Sequence, residues 1–256
     1  MDKEKESLVI FGVNPVLEKA RSRPGDIVEI LVARKPGGPA IGSILDLARR
    51  SGLRVRDVES SLLDRLTESR AHQGVAARIA PYAYHTFDEL LQELPSEPSP
   101  STILILDGLT DPRNVGALLR SAEAAGVRHV VIPKDRSVAV TPVVVKTSAG
   151  AVHHLKIYRV ANLRRVLEAL KASGWWIVGL APAAKEGLYD RSYPAKVAVV
   201  LGSEGGGMRS LIQRECDFLV SIPMAGKIAS LNVAVAGALC LYELIRQRTA
   251  AKGVSP

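Results

Sequence analysis

The stretch VAVVLGSEGGGMRS, residues 197–210, runs from small apolar residues into three consecutive glycines, with an acid, Glu204, just before them. An apolar run of this length reads as a strand buried on both faces. Glycines directly after a strand mark a place where something approaches the backbone closely. Two phosphate-binding patterns can be set aside. GxGxxG fails because, counted from Gly205, the last position is Ser210. GxxxxGK[ST] fails because Met208 and Arg209 follow Gly207. An acid inside a phosphate cradle would also repel the phosphate. A neutral or cationic ligand held by backbone groups suits the stretch better. A tight strand–helix turn, with Glu204 in the first helical turn, explains it equally well.

Working outward, the pattern repeats. STILILDG (101–108), VRHVVIP (127–133), LKIYRV (155–160), WWIVGLA (175–181) and FLVSIPM (218–224) read as further strands. Between them lie helical patterns: NVGALLRSAEAAG (114–126), TPVVVKTSAGAVHHL (141–155) with Thr141 as cap, NLRRVLEALKASG (162–174) with Asn162 as cap, and the short MRSLIQREC (208–216). SLNVAVAGALCLYELIRQR (230–248) is a long helix, apolar around most of its circumference until Glu243. It is therefore expected to be buried, in a core or an interface. Alternation of this kind predicts an α/β domain with a parallel, covered sheet.

A second, smaller α/β unit precedes it. Strands are expected at 8–12, 27–33, 53–58 and 74–80, with helices from Asn14, at 40–52, and at SLLDRLTES. Asn14 followed by Pro15 reads as a helix cap. AHQGV (71–75) is either a glycine turn at a helix end or a place where Arg70, His72 and Gln73 touch RNA. Between the units, TFDELLQELPSEPSP (86–100) holds a short amphipathic helix and then three prolines. The expected division is 1–80, a linker at 81–100, and 101–256.

Composition bounds the function. The chain has 256 residues, 47% hydrophobic and 23% charged, with a net charge of +8. The charge is divided as +3 over 1–80, −4 over 81–100 and +9 over 101–256. A basic body suggests a polyanionic partner, nucleic acid first. The start, MDKEKES, has no apolar run behind it, and the most apolar stretch, 233–242, is about half of the ~20 residues a membrane span needs. Two isolated cysteines, Cys216 and Cys240, fit a reduced, cytoplasmic protein with buried thiols. Neither a metal site nor a membrane anchor is expected.

Three loops leave the carboxyl ends of expected strands: 107–114, 202–208 and 223–232. Open α/β sheets bind ligands there. Asn114 opens one helix, where it could simply cap. Arg120 lies one and two-thirds turns further, on a different face, among small apolar residues. In IPMAGKIASLN (222–232), Ser230 could cap the long helix. Asn232, expected inside its buried stretch, would then need a partner, because an unpaired buried amide is costly.

Taken together, DPRNVGALLRSAEAAG, LGSEGGGM and IPMAGKIASLNVAVA resemble, in order, the three signature motifs of the SpoU class of RNA 2′-O-ribose methyltransferases in the SPOUT superfamily, the TrmH family. FGVNPV and AHQGV resemble the substrate-binding domain of the subgroup that methylates a guanosine of 23S rRNA. Ala234 stands where the family commonly has serine. The resemblance implies an α/β-knot catalytic domain with a deep trefoil knot, and an L30e-like RNA-binding domain before it. It implies S-adenosylmethionine as cofactor, held by the backbone of Gly202, Ile222 and Leu231 with Met224 nearby. It implies a homodimer through the catalytic domain. The site residues carried over are Asn114, Arg120, Glu204, Ser230 and Asn232. The substrate implied is 23S rRNA, with tRNA as the alternative and a non-catalytic RNA-binding protein of the same fold as another.

Overall fold

The computed structural model describes residues 8–34, 39–228 and 230–251, and the charged start MDKEKES lies outside them. The chain forms two compact units, 1–83 and 84–256.

In the small unit, four strands, β1 (Leu8–Phe11), β2 (Ile27–Ala33), β3 (Val55–Val58) and β4 (Val75–Ile79), form one sheet in the order β1-β4-β2-β3. β4 runs antiparallel to both neighbours, and β2 and β3 are parallel. The helices are α1 (Val13–Ser22), α2 (Pro39–Arg50) and α3 (Ser60–Thr67). β2 shows why the unit has two cores. Ile30 and Val32 pack with Val16, Ala20 and Ile44 from α1 and α2. The alternate residues Leu31 and Ala33 pack with Leu63 of α3. The period of two along a strand divides its side chains between two helical layers.

The start of α1 differs from the sequence expectation. Asn14 does not cap it: the helix begins at Val13, and Gly12, which precedes it, has φ 89° and no side-chain cap. The first amide is satisfied from far along the chain, because Val13 N donates to Gln73 Oε1 at 2.9 Å.

The large unit is a seven-stranded sheet, parallel throughout, in the order β7-β6-β5-β10-β8-β11-β9. Its strands are β5 (Ser101–Asp107), β6 (His129–Pro133), β7 (Lys156–Val160), β8 (Trp176–Leu180), β9 (Glu186–Gly187), β10 (Lys196–Gly202) and β11 (Phe218–Ser221). Its helices are α4 (Phe87–Glu93), α5 (Pro112–Ala124), α6 (Pro142–Thr147), α7 (Leu163–Ala172), α8 (Ser210–Glu215) and α9 (Val233–Ala251). One face of the sheet, through Ile103, Ile105 and Val200, packs on Leu90, Leu167 and Ile212 of α4, α7 and α8. α5 packs against both α6 and α9, and α9 also meets β10. There a Cβ on Gly237 would press on the methyl tips of Leu118 and Leu201, which would have to shift to admit it. The thiols of Cys216 and Cys240 are both pushed up to about 12 by burial, which suits inert packing rather than reactivity.

Two expectations need correction here. Residues 84–100 are not a linker but part of the large unit. Thr86 and Glu89 form a reciprocal capping box, and Leu90 and Leu94 are fully buried against the sheet. The segment is also tied by polar contacts: Glu97 accepts from Ser101 Oγ at 2.6 Å and pairs with His129 Nε2 at 2.8 Å. The stretch 141–155 is not one helix. α6 ends at Thr147, and Ala149 (φ 49°) and Gly150 (φ 81°) turn the backbone left-handed before a short 3₁₀ turn. α9, expected in a core or an interface, is buried along one side, through Gly237, Cys240, Leu241 and Leu244. Val235, Leu239 and Tyr242, spaced i, i+4, i+7, are 49%, 37% and 51% exposed.

Candidate functional site

The site lies where the strand order reverses. From β5 the chain proceeds outward through β6 and β7; β10 then enters on the other side of β5. Crevices at the carboxyl ends of two such strands are the default ligand positions of open α/β sheets.

The loop after β5 begins the construction. Asp111 is the cap of α5, its Oδ1 accepting from Arg113 N at 2.8 Å, with Pro112 in the first turn. Asn114 is therefore not the cap. Its side chain is released to point outward, and its Nδ2 donates to Asp111 Oδ2 at 3.0 Å and to Glu204 Oε1 at 2.8 Å. The sequence carried a signal for this in Asp111-Pro112, an acid followed by proline at the first helical position.

The loop after β10 is folded on itself. Ser203 and Gly207 exchange two backbone hydrogen bonds, at 2.9 and 3.0 Å. Any Cβ on Gly202 would collide with the backbone of Gly207 and Met208. Gly205 and Gly207 have φ of 79° and 65°. The close approach that the glycines signalled is thus first of all the loop's own backbone. The ring presents Glu204 at its tip. A latch that the sequence reading missed holds its far end. Buried Asp107, at the end of β5, accepts from Arg209 N at 2.8 Å and from Arg209 Nε at 2.6 Å. The two residues are 102 positions apart, beyond any local pattern.

The third loop, 222–232, supplies Asn232. It caps α9 in place of Ser230: its Oδ1 accepts from Ala234 N at 3.0 Å and Val235 N at 3.4 Å. It is exposed, not buried as expected, and it has partners. Its Nδ2 donates to Asn114 Oδ1 at 2.8 Å and to Glu204 Oε1 at 3.0 Å. The result is a closed triangle of Asn114, Glu204 and Asn232, one residue from each loop. Every amide proton and amide oxygen in it has a partner, which fixes both amide orientations. Glu204 is the hub because an ionised carboxylate only accepts, and both asparagines bring donors to one oxygen. Its other oxygen, Oε2, has no hydrogen bond to a described residue.

Arg120 and Ser230 stand apart from the triangle. Arg120 is exposed on α5, with no ion pair to a described residue. Ser230 is exposed in the third loop. In that loop the backbones of Ile222, Met224 and Leu231 make no hydrogen bond to backbone of the described residues, and Met224 and Leu231 are 39% and 37% exposed. Uncovered apolar side chains on a loop at the carboxyl end of a strand leave surface there for a ligand. Among the described residues no group of three or more His, Cys, Asp or Glu could hold a metal, and no helix is long and apolar enough to cross a membrane.

Known proteins match this arrangement along nearly the whole chain. Residues 101–242 match the SpoU rRNA Methylase family, and residues 9–85 match the RNA 2′-O ribose methyltransferase substrate binding family. A Staphylococcus saprophyticus protein, named for TrmH family tRNA/rRNA methyltransferases, is 43% identical over 95% of this chain and 97% of its own. The 23S rRNA (guanosine-2′-O-)-methyltransferase RlmB of Xanthomonas campestris is 43% identical, over 96% of this chain and 99% of its own. The crystal structure of the SpoU methyltransferase AviRb from Streptomyces viridochromogenes, in complex with the cofactor AdoMet, superposes with a TM-score of 0.71 at 25% identity, covering 95% of this chain and 91% of that one. The protein is a member of the SpoU family of RNA methyltransferases.

Proposed function

We propose that the protein transfers a methyl group from S-adenosylmethionine to the ribose 2′-hydroxyl of a guanosine in 23S rRNA. The observation that carries this reading is the triangle of Asn114, Glu204 and Asn232, which binds the three strand-end loops into one preorganised site. The full-length likeness to 23S rRNA guanosine methyltransferases supports the substrate.

S-adenosylmethionine, when bound, supplies a methyl group made electrophilic by its sulfonium. The backbone of Gly202, Ile222 and Leu231, with the Met224 side chain, would hold it. The triangle fixes the loop and orients the ribose, with Glu204 Oε2 available to a hydroxyl. A free hydroxyl is a weak nucleophile, so alignment and charge stabilisation carry the reaction, and the displaced hydroxyl proton passes to water. Arg120 acts as a clamp on the phosphate and on the developing alkoxide. A guanidinium stays protonated at any working pH, so it stabilises negative charge rather than removing a proton. Ser230 orients the ribose from the third loop.

Threading of the chain as a deep trefoil knot and assembly as a homodimer belong to the same reading. The apolar stripe Val235–Leu239–Tyr242 is the surface that a second copy would cover. Leu239→Glu should then shift the sedimentation coefficient to that of a monomer.

The test is direct. The protein is incubated with labelled S-adenosylmethionine and either 23S rRNA fragments or tRNA, and the methylated nucleotide is mapped. Transfer to one guanosine of 23S rRNA is expected. Transfer to tRNA alone overturns the substrate, and cofactor binding without transfer to any RNA leaves an RNA-binding protein. Within the reading, Arg120→Lys should lower turnover about tenfold or more, because an ammonium cannot make the two parallel bonds of a guanidinium. Near-full turnover would remove the clamp.

A further inference from the structure

We propose that the small unit captures an unpaired guanine base of the RNA in the hollow bounded by Val13, Arg34, Glu59, Ser60, His72 and Gln73. The inference rests on the RNA substrate proposed above. It adds a second contact point, distinct from the nucleotide that is methylated.

The hollow measures about 880 Å³ and lies wholly within the small unit. That is inside the roughly 300–1,000 Å³ range of small-ligand sites. Half-buried Val13 gives it apolar surface for a ring, and its polar groups are placed by the fold. Gln73 sits at φ 54°, a left-handed conformation that glutamine rarely adopts. Strain of this kind persists where the surroundings enforce it, and it collects at binding sites. Three contacts enforce it here. Gln73 Oε1 is anchored by Val13 N at 2.9 Å. His72, 5% exposed, braces the turn from behind: its Nδ1 accepts from Gly74 N at 3.0 Å and its Nε2 meets Asp64 Oδ1 at 3.1 Å.

With Oε1 occupied, the orientation of the Gln73 amide is set. Its two Nε2 protons make no hydrogen bond to a described residue. Across the hollow, Arg34 Nη1 and Glu59 Oε1 pair at 2.8 Å, with side chains 69% and 65% exposed. An exposed pair like this contributes little to stability. Each partner also has capacity to spare, since a guanidinium has five donors and a carboxylate about four acceptor positions. The hollow thus offers donors from Gln73 and Arg34 and acceptors from Glu59. Guanine matches both halves: O6 and N7 accept on one edge, while its ring N1–H and exocyclic amine donate on another.

The discriminating variant is Glu59→Gln. It makes the protein more basic, so a site that merely attracts phosphate would bind RNA equally or more tightly. A site that reads guanine keeps one amide oxygen but loses the second acceptor and the negative charge facing N1–H and the amine, and should bind about tenfold more weakly. Affinity of the full chain is measured for 23S rRNA fragments, each carrying one abasic ribose in place of an unpaired guanosine. One such replacement, away from the methylated nucleotide, should weaken wild-type binding about tenfold. In Glu59→Gln the same replacement should cost little more, because the contact is already lost. Gln73→Glu keeps the acceptor for Val13 N and removes the free donors; its melting temperature should stay within a degree or two of wild type while its affinity falls. Unchanged or tighter binding by Glu59→Gln, or strictly additive losses, overturns the guanine site even if the wild-type protein methylates rRNA. Absence of methyl transfer by the wild type overturns the proposed activity instead, and leaves the binding measurements to decide the hollow on their own.

Discussion

α1 in the small unit and α5 in the large unit begin alike in sequence and are finished differently. Each follows the first strand of its unit, and each has an asparagine and a proline near its start. In neither does the asparagine cap. α5 is capped locally by Asp111, and Asn114 is thereby released to join Glu204 and Asn232. α1 receives its cap contact from Gln73, 60 positions away, and Asn14 is left exposed. The difference teaches that a capping residue and a functional residue can be the same type in the same place. Which of them is free for chemistry depends on who else satisfies the helix.

The comparison can be broken at several points. The largest effect is expected at the released residue: Asn114→Asp adds a carboxylate against Glu204 and Asp111 and removes both donated protons. Turnover should fall by roughly 10²–10³, the scale of losing one preorganised polar contact at a reacting centre. Labelled methyl transfer at saturating RNA measures this, and a loss below tenfold would remove Asn114 from the site. Asp111→Ala should come next, costing about 1 kcal/mol of stability through the lost cap. It should also loosen Asn114, lowering turnover by about tenfold; calorimetry and kinetics on one preparation separate the two. Gln73→Ala should lower stability by less than about 1 kcal/mol, since water can reach the freed amide of α1. Asn14→Ala should do least, within about 0.5 kcal/mol, and a larger effect would restore Asn14 as the cap.

Acid sharpens the contrast between the units. Burial alone would raise the carboxyl of Glu97, but hydrogen bonds from Arg128, Ser101 and His129 outweigh it and hold it below the usual carboxylate value. Burial likewise raises the Glu93 carboxyl, but hydrogen bonds from Lys156 and Tyr158 outweigh it and hold it below the usual carboxylate value. A carboxylate depressed in the folded state contributes stability above its unfolded value, near 4.5, and that contribution is lost as pH falls through the folded value. The melting temperature of the large unit should therefore drop below about pH 4.5, and Glu97→Gln should flatten that part of the curve.

Much of the fold was legible because its strands are buried on both faces. ILIL, VAVVL and IVEILVA announce themselves by composition alone. Helix starts and breaks were less legible. Asn114 and Ser230 read as caps, whereas Asp111 and Asn232 hold those positions, and local preference does not choose between such close neighbours. The stretch 141–155 looked continuous because its periodicity outlasts the left-handed turn at Ala149–Gly150. The docking of 84–100 was hidden behind three prolines, because what holds it, Glu97 against His129, joins positions 32 apart. At the site, the residue types were legible through their resemblance to known motifs. The hub role of Glu204 was not, since it depends on three loops meeting at one oxygen.

A segment with three consecutive glycines is ordinarily the place where a protease cuts or an extra residue is accepted. Residues 202–209 reverse that habit. One end is closed by the paired backbones of Ser203 and Gly207, and the other is clasped by Asp107 on the neighbouring strand. The length of this arc is therefore fixed from both sides, like a link in a watch bracelet. A single residue inserted between Gly202 and Met208 would swing Glu204 away from both asparagines, while the sheet beneath, secured by β5 and β8, would stay folded.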